Sequence, residues 1–264
     1  MKKFQAHTFF SSSQTLEGWI NDLARHNENS EVTDFEKSSF VAGAPAVIAG
    51  LRDTGLEFSV QQVERIKATL ATKRITYREY RELLRTLQDR IQDEFSDLLF
   101  LSISKIKAPY YENEELFGAD VKNKYPSAAF EIKEAGNCFA LERSTACVMH
   151  LMRTLEVALK AIAAGLGIPS PITGSNRNWG NILSRINAEI ANKNATNPPN
   201  WAAVKSFFEN AYTHLNAVRV SWRNPTMHIG NTYTEGEAED ILNAVKGLMR
   251  HLSTRLDGTG TITP

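Results

Sequence analysis

Apolar residues recur every three to four positions along most of the chain, and no run alternates in and out long enough to build a sheet. Leu16, Trp19, Ile20 and Leu23 fall at i, i+3, i+4 and i+7, which predicts a helix around 15–26. Two charged helices follow, over 59–72 and 76–98, the second with Leu84, Leu87, Ile91 and Leu98 on a heptad-like seam too short for a coiled coil. The run LLFLSISKI (98–106) changes period and ends before Pro109, as a frayed helix end or a short extended segment. From 127 to 165 the chain has no proline and reads as one or two long helices, stopped by Gly165, Gly167 and Pro169. A short helix over 179–192 precedes the breaker NKNATNPPN.

Two further helices are the most regular. Residues 201–222 place Trp201, Val204, Phe208, Ala211, Tyr212, Leu215 and Val218 on one side. The last helix opens at Thr234, with Glu237 three residues on in the Thr-x-x-Glu capping-box pattern, and its apolar stripe runs from Ala238 to Leu252. The tail after Asp257 reads as loose. The pattern predicts an all-α fold: a helical bundle over 111–264 and a separate helical region of unknown role over 1–110.

Composition changes this picture little. With 264 residues, 42% hydrophobic and 23% charged, the chain has an ordinary globular balance. Its 30 Lys and Arg against 30 Asp and Glu argue against a basic shell that coats nucleic acid. Cys138 and Cys147, nine apart in a stretch that reads as helix, point to opposite faces and do not bridge, so a reducing, cytoplasmic setting is expected. No window approaches a membrane span, and no spacing suggests a metal site or another cofactor. The small-residue run VAGAPAVIAG lacks the Gly-Lys-Ser/Thr of a phosphate loop.

The segment with chemistry in it is VSWRNPTMHIGNTYTE, between the two most regular helices. Pro225 biases Asn224 out of helix, so the long helix should end or kink just after Arg223. On a continuous helix Arg223 and His228 would point about 140° apart; a break lets them converge. A guanidinium that grips two phosphate oxygens beside an imidazole suits phosphoryl transfer, and Arg219 adds a second guanidinium one turn earlier.

R-N-P-T-M-H, Arg223 to His228, resembles the Arg-x4–6-His signature of the HEPN superfamily (higher eukaryotes and prokaryotes nucleotide-binding), whose common form includes the polar residue after the Arg, here Asn224. The resemblance extends to AGNCFALERSTACVMHLMRTLEVALKAIAAGLGI (135–168) and covers roughly 125–256; residues 1 to about 110 have no counterpart in it. It implies an α-helical bundle, usually dimeric, acting as a metal-independent endoribonuclease in toxins or anti-phage defence. It also implies RNA as substrate, with an antitoxin or defence-system protein as a further partner. Arg223 would stabilise the phosphate and transition state, His228 would act as acid and base, and Asn224 would hold the turn or contact the phosphate. The alternatives are a catalytically silent module that binds RNA, a nucleotide or a protein, and a purely structural helical protein.

A second polar stripe runs along HLMRTLEVALK, where Arg153, Glu156 and Lys160 oppose an apolar stripe. It is either a solvated face with an Arg153–Glu156 pair, or a face turned to the motif cleft on which Glu156 and Arg153 orient Arg223 or bind RNA. From 139 to 228 the chain holds nine Lys and Arg against four Glu, a net +5. The overall zero is therefore a cancellation between a basic segment that includes the motif and an acidic remainder.

Overall fold

The computed structural model describes residues 6–23, 25–169, 178–223, 226 and 230–263, with the backbone alone at 6 and 223. Every named element is helical and no strand occurs among the described residues, which makes the fold all-α. Among the same residues no helix is long and apolar enough to cross a membrane. The chain divides into two compact units, 1–101 and 102–264, each with its own core.

The first unit holds α1 (Ala6–Leu23), α2 (Asp34–Thr54), α3 (Glu57–Thr72) and α4 (Tyr77–Ser96). VAGAPAVIAG lies inside α2, with Pro45 in its interior. Its small residues serve close packing: a methyl group on Gly43 would sit 2.6 Å from the Trp19 ring of α1. Glu94 of α4 accepts hydrogen bonds from the Phe58 and Ser59 backbone N–H groups, at 3.0 and 2.6 Å, and so caps α3 from outside. Thr76 and Glu79 form a reciprocal capping box that starts α4. Leu84 and Leu87 of the predicted seam are buried, and Ile91 and Leu98 pack against the core at its margin.

The second unit begins earlier than composition suggests, at residue 102, because Lys107 is built into it. Its ammonium lies 2.8 Å from Glu235 Oε1, 3.6 Å from Glu142 Oε1 and 5.1 Å from the Phe139 ring centroid. Tyr110 packs edge-on against the same ring. Next come α5 (Ala119–Lys124), α6 (Ala129–Ala140) and α7 (Ser144–Gly165). The long predicted helix is thus two helices, broken at Leu141–Arg143, where Glu142 takes a positive φ of 59°. Cys138 and Cys147 fall on different helices and are free thiols; burial pushes the Cys147 thiol up to about 12.

The core of the unit forms around α7, eleven of whose side chains are buried, including Leu151, Leu155, Leu159 and Ile162. Against it lie α6, the pair α8 (Trp179–Thr196) and α9 (Trp201–Val218), and α10 (Glu235–Ser253). The capping box at Thr234 and Glu237 is present, and every predicted stripe residue from Ala238 to Leu252 is buried. The tail is not loose. Asp257 Oδ1 accepts from the Thr259 and Thr261 N–H groups, Gly258 N–H donates to Lys124 O, and Thr263 N–H donates to Arg255 O.

Candidate functional site

Regular α-geometry in α9 stops at Val218, and residues Arg219–Arg223 form a π-helical turn. Expansion of a helix by one residue per turn is costly and is often found at functional positions. The sequence places the break after Arg223; the departure from α-geometry comes four residues earlier. The Arg223 side chain, Asn224 and His228 lie outside the described residues, as do Pro225, Met227 and Ile229.

What surrounds the motif is described. Thr226 is buried, and its hydroxyl donates to Trp222 O at 2.7 Å and lies 2.6 Å from the Tyr233 hydroxyl. Tyr233 in turn reaches Trp222 O at 3.3 Å, while its backbone N–H donates to Thr145 Oγ1 at 3.1 Å. Thr145 stands in the first turn of α7, and Tyr233 immediately precedes the Thr234 cap of α10. Trp222 and Thr226 are thereby tied to Tyr233, which is itself held at the starts of two core helices. An open cleft of about 390 Å³ adjoins this clasp, lined by Ser221, Trp222, Asn231, Tyr233, Glu237 and Asp240 among others. Its charged side chains are both acidic, so the cleft does not itself attract a phosphate.

Arg219 carries the opposite charge. It is half-buried, its Nε is shut off from solvent, and that atom has no hydrogen-bond partner among the described residues. Its guanidinium lies over the first turn of α8: a methyl group on Gly180 would come within 2.9 Å of Nη1. Asn178 caps that turn through a 2.7 Å bond from Gly180 N–H. A cation set against the positive end of a helix is electrostatically unfavourable, and an anion between them relieves the conflict.

The Arg153–Glu156 pair expected in the second predicted group does not form. Arg153 pairs with Glu131 of α6, at 2.7 Å from Oε1, and not with Glu156. Glu156 is half-buried and forms no ion pair among the described residues. The other oxygen of Glu131 holds His150 Nδ1 at 2.7 Å, which makes a Glu131–His150–Arg153 triad across the α6–α7 hairpin. Neither Glu131 nor His150 is among the candidate residues that the sequence pattern singles out. The signal was present: Glu131 shares a helical face with Ala135 and Phe139, both buried, so a carboxylate stood in an apolar stripe.

Among the described residues no group of three or more His, Cys, Asp or Glu side chains is placed to hold a metal ion. Of the remaining histidines, His26 stacks on Tyr77 and pairs with Glu36, and burial with the nearby charge of His214 holds His251 below the ordinary imidazole value. Trp179 and Trp201 are core residues, as their spacing suggests. Met152 and Met249 fill the core, but Met149 is 49% exposed. No family model matches the chain, and neither a curated protein nor a solved structure matches it.

Proposed function

We propose that the chain is a metal-independent endoribonuclease of HEPN type, with Arg223 and His228 as its catalytic pair and Asn224 holding the turn between them. The observation that supports this most is the π-helical turn Arg219–Arg223, clasped by Thr226, Tyr233 and Thr145, where the sequence puts the motif. A segment built so deliberately away from regular helix suits a site better than a simple connection. Arg219 over the α8 N-terminus is a second support, since it makes a place for an anion one turn before Arg223.

The chemistry follows from what RNA cleavage demands. The 2′-hydroxyl gives its proton to an imidazole and attacks phosphorus, the bond to the 5′-oxygen breaks, and that oxygen takes a proton. The products are a 2′,3′-cyclic phosphate and a 5′-hydroxyl. A twofold dimer that joins two Arg223–His228 pairs in one cleft supplies two guanidiniums for the phosphorane charge and two imidazoles for the proton transfers. Asn224 and Arg219 then contact the phosphate, and a toxin or anti-phage role in the cytoplasm, restrained by a partner protein, fits such an activity.

The test is purified protein with mixed RNA in EDTA. Cleavage that persists and leaves 2′,3′-cyclic phosphate ends agrees with the proposal; cleavage that needs added metal, or leaves 3′-hydroxyl ends, contradicts it. RNA bound but not cut identifies the silent module.

A further inference from the structure

The α6–α7 hairpin carries a constellation outside the motif. Glu131 is 8% exposed, yet both its oxygens are engaged from one side, by His150 Nδ1 and by Arg153, each at 2.7 Å. With Nδ1 held by the carboxylate, the chemistry left to His150 is at Nε2, which has no hydrogen-bond partner among the described residues. The Arg153 side chain is 64% exposed, so most of its five N–H donors remain free. Beside them Phe130 is 65% exposed, its ring centroid 6.4 Å from the imidazole.

The exposed Arg153 and Phe130 and the half-buried His150 differ in chemistry and agree in target. A guanidinium grips phosphate oxygens, the imidazole Nε2 shares a hydrogen bond with a 2′-hydroxyl, which can donate or accept, and an exposed ring offers a face for a base. Only a single strand can offer all three at nucleotide spacing, because in a duplex the bases are stacked on each other. Glu131 then acts as the positioning residue: it fixes the imidazole and guanidinium in advance, so little freedom is lost when RNA arrives.

We propose that Phe130, His150 and Arg153, set by Glu131, form a contact subsite for single-stranded RNA on the α6–α7 hairpin, at which His150 recognises the 2′-hydroxyl. This rests on the ribonuclease reading for its substrate class but not for its residues.

The experiment uses the full chain carrying His228→Ala, so that RNA is not consumed, with a fluorescent unstructured RNA 20-mer and the DNA of the same sequence at pH 8. The expected results are distinct for each residue. Arg153→Gln lowers RNA affinity about tenfold and reduces the salt slope by about 0.7. Phe130→Ala lowers it about fivefold or more. His150→Ala removes a preference for RNA over DNA that the parent shows. Glu131→Ala weakens binding although it deletes a negative charge, whereas charge alone would tighten it. Phe130 and Arg153 lie at the surface, so their variants fold whatever Glu131→Ala does. Affinity unchanged in both Arg153→Gln and Phe130→Ala, or a parent that binds no RNA, overturns the subsite. Intact chain that cuts RNA while these variants bind normally defeats the subsite and leaves the ribonuclease reading standing. The reverse, no cutting but binding lost in these variants, defeats the ribonuclease and keeps the subsite.

Discussion

Thr226 shows how one hydroxyl can tie down a segment that holds the proposed catalytic pair. It is the single described residue between Arg223 and Gly230, it is buried, and its bonds to Trp222 O and Tyr233 fix the far side of the motif. Thr226→Val keeps the shape and removes both bonds. The Trp222 carbonyl and the Tyr233 hydroxyl are then left to a single 3.3 Å contact. We expect a loss of about 1–2 kcal/mol in a thermal or urea melt. RNA cleavage should fall further than that loss accounts for at a temperature where the variant is fully folded. A variant with the parent's melting temperature and cleavage would show that the clasp is incidental. Thr226 itself was not legible as important, because a lone Thr after Pro carries no periodic signal; only its tertiary partner, seven residues on, gives it a role.

At the scale of elements, the sequence is most informative where two local signals agree. The last helix has a capping box and a continuous stripe, and it begins and packs as read. The seam of α4 is equally plain because its polar face is so strongly charged. Elements with conflicting signals are the ones missed. In α2 an internal Pro and a run of small residues hide a helix whose purpose is close approach to α1. The pattern over 127–165 allows two helices, but the place of the break is not legible, because Glu142 is an αL residue that is neither Gly nor Asn. The tail misleads in the other direction, since its Gly and Thr residues look like a frayed end and are in fact a packed turn. Gly260 has a φ of +90°, and a methyl group there would lie 2.5 Å from the Ala164 side chain and 2.7 Å from the Gly165 nitrogen. Gly260→Ala should therefore cost about 2–4 kcal/mol in urea denaturation. An unchanged midpoint would mean that the tail is as loose as its composition suggests.

At the scale of the whole molecule, two cores separated by an exposed apolar run define two units. Leu99 is 99% exposed, Leu101 65% and Ile106 84%, in a stretch without helix. Limited chymotrypsin digestion should cut first within 98–106 and leave two resistant fragments. First cuts inside α2 or α7 would contradict the division. The net +5 between 139 and 228 lies wholly in the second unit, together with the motif, Arg219 and the Glu131–His150–Arg153 triad. This is the unit to which the ribonuclease proposal belongs, and its class, all-α, was the part of the account most fully legible from periodicity. The site was legible only as a motif at a helix junction. The clasp joins Thr145 of α7 to Trp222, Thr226 and Tyr233 on the segment between α9 and α10, a contact that no local pattern encodes.

The most direct measurement is RNA cleavage in EDTA by the intact chain and by His228→Ala, purified side by side and matched by circular dichroism melts. The account predicts that the variant folds as the parent does and loses cleavage by at least about a hundredfold, the contribution of a positioned acid–base group. A folded His228→Ala protein that cleaves RNA at the parent's rate would contradict it.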